Sequence, residues 1–166
     1  MPNIQIDRVH ISDAEDLIDA NRKSRAFHAP WIAPFTDMDG FDAWYARTVI
    51  GPNLGFVARE RASGSIVGVV NISEMVWGAF RSGYLSYYGV SGLSRKGFMT
   101  EAVDSVCKHA FAEIGLHRLE ANIQPDNVAS LALVRRAGFQ REGFSEKYLK
   151  IAGEWRDHER WARLSS

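Results

Sequence analysis

Two neighbouring stretches, GVSGLSRKGFMTEAVDSVCKHAF (residues 89–111) and LEANIQPDNVASLALVRRAGF (residues 119–139), decide how this chain folds. The first reads as a strand end, a Gly-containing basic turn and a long amphipathic helix. A helix start exposes backbone N–H groups without intrahelical partners, and the helix dipole adds positive potential there, so a phosphate fits at that point. The second supplies another strand, a polar turn with Asn127 and Ser130, and a second helix beside the first. Together they give one side of the molecule a phosphate cradle with a polar wall next to it.

The helix from about Thr100 to Ile114 puts Ala102, Val103, Val106, Cys107, Ala110, Phe111 and Ile114 on one side, with Gly115 as its C-cap. Residues 118–123 read as a strand, and Ala129 to Ala137 as a helix stopped by Gly138. Working outward, residues 3–9 alternate as an edge strand, and Ser12 with Glu15 offers a capping box for a helix carrying Ala14, Leu17 and Ile18. Pro30 and Pro34 break the chain before a short helix around Phe41, Trp44, Tyr45 and Thr48. Residues 54–60 and 65–72 form a hairpin across RASG, residues 83–90 a third strand, and the tail two more strands around IAGEW. Mostly antiparallel strands followed by a β–α–β–α unit and a closing hairpin make a mixed α+β fold, not a doubly wound dinucleotide fold.

The chain has 166 residues, which predicts one domain over residues 1–166 with a core of its own. Lys+Arg and Asp+Glu both number 20, so no bulk charge recruits nucleic acid or an anionic membrane. The single cysteine, Cys107, fits a reducing compartment and reads as packing on an apolar helix face. No apolar run approaches the ~18 residues that span a bilayer, and the N-terminus lacks an apolar signal core. These features predict a cytoplasmic protein. The histidines His28, His109 and His117 form no metal spacing with cysteines or carboxylates, so no metal is expected. A net charge near zero leaves a homodimer open.

In the cradle, the amides of Lys96, Gly97, Phe98, Met99 and Thr100 would ring a pyrophosphate, with Arg95 and Lys96 adding charge. An ordinary Gly turn before a helix is the competing reading. The segment is neither a Walker loop nor a full GxGxxG.

The combination resembles the acyl-CoA-dependent N-acetyltransferase superfamily (GNAT), whose diphosphate loop runs Gln/Arg-x-x-Gly-x-Gly/Ala. The matching residues are SRKGFM, Ser94 to Met99; Ser94 replaces Gln/Arg and Met99 the second small residue. APWIAPF, GVVNIS, NVASLALVRRAGFQREGF and YLKIAGEWRDH are similar to the RimJ/RimL-like branch, in family order over about residues 28–160. The resemblance implies a mostly antiparallel mixed sheet, flanked by helices and splayed at the cofactor site. It also implies acetyl-CoA as donor and a protein N-terminal α-amine, ribosomal-protein-like, as acceptor. Tyr88, Gly89 and Val90 would then offer backbone to pantetheine. Asn122, Gln124 and Asn127 would line the opposite lip, with Arg135 or Arg136 at the outer phosphates. Ser130 takes the position of the family's thiolate proton donor. Asn127 as a helix cap, Ser130 bonded to local backbone and solvated arginines are the plain alternatives.

Direct attack in a ternary complex needs a neutral amine and a polarised carbonyl. Val90 N–H or a neighbouring amide is the candidate donor to that carbonyl. Glu74 is the candidate base, with Glu146 and His158 as alternatives. Trp31, Phe35, Trp77 and Tyr148, with Phe80 and Trp155, are expected to converge on the acceptor mouth. The rival functions are acetylation of a small amine (aminoglycoside, polyamine or amino acid) and a CoA-binding module without turnover.

Overall fold

A computed structural model describes residues 2–94 and 96–166. The elements run β1 (Ile4–Arg8), α1 (Ala14–Lys23), α2 (Arg25–His28), α3 (Met38–Tyr45), β2 (Leu54–Glu60), β3 (Ile66–Val76), β4 (Ser82–Gly89), α4 (Phe98–His109), β5 (Arg118–Ile123), α5 (Val128–Arg136), β6 (Gln140–Ile151) and β7 (Glu154–Leu164). Wider π turns, Ala46–Ile50 and Ala110–Ile114, extend α3 and α4. The expected helix after α4's partner strand and the closing hairpin both form, and Gly115 and Gly138 stop α4's extension and α5 at φ 90° and 86°. One boundary differs in its chemistry. The capping box before α1 is built by His10 and Asp13 rather than by Ser12 and Glu15. His10 Nδ1 accepts from Ser12 N at 3.2 Å, and the Asp13 carboxylate accepts from His10 N at 2.8 Å.

Among the described residues the seven strands form one sheet in the order β1-β2-β3-β4-β5-β7-β6. Every neighbouring pair is antiparallel except β4–β5, which is parallel and bridged by the α4 crossover. That pair joins only Ser82–Tyr84 to Arg118–Glu120. Beyond it β4 runs on to Gly89 and β5 to Ile123 without pairing each other, so the sheet opens in its middle.

Each sheet face buries its own apolar cluster. Ala102, Val103, Val106 and Cys107 of α4 and Val134 of α5 pack with Val70, Ile72, Leu85, Leu119 and Ala121. On the other face Leu17, Ile18 and Phe41 pack with Val57, Val69 and Val90. Arg163 on β7 fixes the two site-forming helices to the sheet. Its Nη1 donates to Asp104 on α4 and to the Ala137 carbonyl just past α5, each at 2.8 Å. No described helix is long and apolar enough to cross a membrane, and the described residues hold no cluster of three or more His, Cys, Asp or Glu suited to a metal ion.

Candidate active site

A cavity of about 480 Å³ lies at the end of β4, beside the starts of α4 and α5. Its walls come from α2 and the following loop (His28, Trp31), the end of β4 (Tyr87, Gly89), the start of α4 (Gly97 to Thr100) and α5 (Asn127, Ser130, Arg136). Gly97 sits at the α4 N-cap with φ 77°, a left-handed conformation that glycine adopts without a Cβ penalty. The amides of Phe98, Met99 and Thr100 follow in the first turn, where helix N–H groups have no intrahelical partner. Lys96 is exposed, its ammonium 5.9 Å from the Phe98 ring centre. Arg95, the other charge expected in the cradle, lies outside the described residues.

Met99, which replaces a small residue of the loop pattern, turns toward the sheet. Its sulfur lies so close over Gly68 that a Cβ there would stand 2.5 Å from it. Gly68 therefore provides the space that the bulky Met99 needs. Glu101 is likewise occupied: its carboxylate accepts from Asn3 N at 2.7 Å and Ile4 N at 3.2 Å, tying β1 to α4.

The strand register sorts the β4 backbone. Val90 N–H donates to Val67 O at 2.9 Å, so it is engaged with β3 rather than free for a ligand carbonyl. Alternation along an antiparallel pair then turns the Tyr88 polar groups toward β3 and those of Tyr87 and Gly89 toward the opening. The Gly89 carbonyl meets His28 Nε2 at 2.7 Å. His28 is 4% exposed and burial lowers its pKa, against the opposing effect of that hydrogen bond, so the ring is neutral and donates from Nε2. Of the three residues expected to offer backbone there, Gly89 faces the opening and Tyr88 and Val90 face β3; Tyr87 also faces the opening, and Tyr88 packs its ring edge-on to His28 at 5.1 Å.

On the α5 wall Asn127 caps the helix, its Oδ1 accepting from Ser130 N at 3.3 Å. The Ser130 hydroxyl does not bond to local backbone; it meets Tyr87 OH at 2.6 Å across the opening. Burial pushes the Tyr87 phenol up to about 12, with the Ser130 contact acting in the other direction. Arg136 borders the cavity, whereas the Arg135 guanidinium lies 5.4 Å over the Trp161 ring and does not. Asn122 pairs with Arg160 on β7, and the Gln124 carbonyl accepts from Asn127 N at 3.0 Å; neither side chain borders the cavity.

The expected aromatic mouth comes together only in part. Trp31 borders the cavity. Phe35 packs into the α1–α3 cluster, 5.5 Å from Phe41 and 5.3 Å from Trp44. Trp77 and Trp155 are 48% and 59% exposed, and Phe80 is exposed beside Trp77 in the β3–β4 turn. Tyr148 lies by Tyr84, whose phenol is raised first by hydrogen bonding to Tyr148, then by burial and by the charges of Glu120 and Glu74. Glu74 sits outside the cavity at a bulge of β3, exposed, with φ 50°. Glu146 is exposed too, and His158 is 2% exposed with Nδ1 on the Arg156 carbonyl at 2.9 Å. The Cys107 thiol, pushed up to about 12 by burial, is no nucleophile near neutrality.

A family model described as Acetyltransferase (GNAT) domain matches residues 3–140. The chain belongs to the GNAT acetyltransferase family. It is 34% identical over 164 residues to the [ribosomal protein uS5]-alanine N-acetyltransferase of Escherichia coli (strain K12), covering 90% of this chain and 81% of that one. It is 38% identical over 100 residues to the probable N-acetyltransferase YjcK of Bacillus subtilis (strain 168), covering 60% of this chain and 55% of that one. Among solved structures, Mycobacterium smegmatis RimJ in complex with CoA-disulfide superimposes with a TM-score of 0.84 at 29% identity, covering 98% of this chain and 82% of that one. GNAT acetyltransferases use acetyl-CoA, and this GNAT chain has the parts for it. The splayed β4 edge suits an extended amide-bearing arm, and the Gly97 turn with the α4 amides suits a diphosphate.

Proposed function

We propose that this GNAT protein acetylates the α-amine of protein N-termini, ribosomal-protein-like, by direct attack within a ternary complex. The cavity at the end of β4, walled by the start of α4 and by α5, carries the reading. Gly97 to Thr100 would hold the diphosphate and the Tyr87 backbone with the Gly89 N–H the pantetheine amides, with Arg136 at the outer phosphates. Bound acetyl-CoA supplies the activated acetyl group. The chain's own part is to align that group, to keep water from it with Trp31, Phe27 and Ile32, and to present N–H and O–H donors.

Acceptor class follows from acidity. A peptide α-amine has a pKa of about 7.7–8.0 and a lysine amine about 10.4, so near pH 7.5 a large share of α-amines is already neutral. An α-amine therefore needs no strong base, which agrees with the exposed position of Glu74 outside the cavity.

Release of CoA from acetyl-CoA, measured against peptides of varied first residue, spermidine, an aminoglycoside and free amino acids, tests the proposal. Turnover on one peptide class with acetyl on its α-amine is expected. Turnover on spermidine or an aminoglycoside alone would move the function to small amines, and CoA binding without any turnover would leave a binding module.

A further inference from the structure

The contact between Tyr87 and Ser130 joins the splayed strand to the helix across the opening. A phenol has one proton and two neighbours here: Ser130 Oγ at 2.6 Å and the Ser130 carbonyl at 3.2 Å. The carbonyl sits in the first turn of α5, where the amide four residues on, at Val134, serves it. Ser130 Oγ has no such provision, and the shorter distance suits an O–H···O bond better. If the phenol proton goes to Ser130 Oγ, the Ser130 proton is left to point elsewhere, into the cavity that both residues border. The serine backbone is fixed as well, by the Asn127 cap.

We propose that Tyr87 is a positioning residue, donating to Ser130 Oγ so that the Ser130 O–H is aimed at the sulfur of bound CoA, and that the pair stabilises a thiolate by hydrogen bonding without surrendering a proton. This rests on the cavity being the acetyl-CoA site. Acidity decides against proton transfer. An alkyl thiol of the cysteine kind ionises near 8.5, below a phenol that burial has pushed up to about 12, and an aliphatic hydroxyl is a weaker acid still. A proton moved from either residue to the sulfur would travel uphill. A hydrogen bond to an ionised acceptor, roughly twice as strong as a neutral one, gives stabilisation without that step. In the transfer the amine nitrogen bonds to the acetyl carbon and the C–S bond breaks, leaving its electron pair on sulfur. The nitrogen's surplus proton passes to water, and the thiolate regains one from solvent.

The test is ultraviolet titration of the thiol of bound CoA, as difference spectra against the CoA-free protein, for wild type, Tyr87→Phe, Ser130→Ala and the double variant. The other described ionisable groups bordering the cavity are His28, Tyr88 and Arg136, and none is altered in these variants. The buried Cys107 thiol, at about 12, stays silent through the useful range. The wild-type protein is expected to raise the ionisation constant of the bound thiol about tenfold over free CoA, the size of one charge-assisted hydrogen bond. Each single variant should lose most of that gain, and the double variant should lose no more than Ser130→Ala. A wild-type-like thiol in Tyr87→Phe, or additive losses, would overturn the positioning role. Ser130→Ala carries the test even if Tyr87→Phe folds poorly, because an unchanged thiol there sinks the proposal alone. The readout needs no acceptor. A shifted thiol without turnover would refute the proposed function and leave this inference standing; turnover with an unshifted thiol would do the reverse.

Discussion

Gly97 and His28 illustrate how single residues prepare the site. Gly97 holds φ 77°, and an L side chain in the left-handed region costs about 1–2 kcal/mol. No atom of the described residues lies within 4 Å of its missing Cβ, so strain alone should act. Gly97→Ala is expected to weaken CoA binding by up to about five- to thirtyfold in calorimetry as the turn relaxes away from its cradle shape. Unchanged affinity would mean that this turn holds no phosphate. For His28 the sign follows from burial. Its folded pKa lies below the unfolded value of 6.5, so the folded ring stays neutral while the unfolded chain takes up a proton. Its contribution is complete above that value and is lost as pH falls toward the folded pKa. Urea unfolding at about pH 7.5 and about pH 5.5 should show a larger acid loss for wild type than for His28→Gln, which keeps an N–H donor. Parallel losses would argue that the ring is not held neutral against Gly89.

At the scale of elements the pairing of β4 governs which amides a ligand can use. Val90 N–H is committed to β3, and the same alternation commits Tyr88 while releasing Tyr87 and Gly89 toward the opening. Hydrogen exchange of the free protein is therefore expected to be fast at Tyr87 and Gly89 and slow at Tyr88 and Val90. CoA should slow the first two severalfold or more and leave the others alone; the opposite pattern would put the ligand elsewhere. The elements themselves were legible from local pattern: the α4 apolar face at Ala102, Val103, Val106 and Cys107, and the stops at Gly115 and Gly138, are short-range signals. Register was not. Whether Tyr87 or Tyr88 faces the opening depends on which β3 residue each opposes, and a one-residue slip exchanges them. The His10–Asp13 cap was missed for a related reason, since Ser12 and Glu15 carry the usual residue types and histidine does not.

For the whole molecule, what could be foreseen and what could not divides by distance along the chain. The cradle lies within a few residues of sequence, so Gly97 to Thr100 border the cavity together, and Asn127 and Ser130 at the start of α5 border it as well. The aromatic mouth depended on three distant loops meeting, and only Trp31 reaches the cavity while Phe35 is drawn into the core beside Phe41 and Trp44. Tyr87 and His28 are joined to Ser130 and Gly89 across 43 and 61 residues, contacts that no local motif announces. The most direct measurement is mass analysis of an alanine-initiated peptide, like that of uS5, after incubation with the protein and acetyl-CoA, with the acetylated atom located by fragmentation. A single acetyl on the α-nitrogen, dependent on the protein and matched by CoA released, is the result this account predicts. An unmodified peptide while spermidine is acetylated would contradict it.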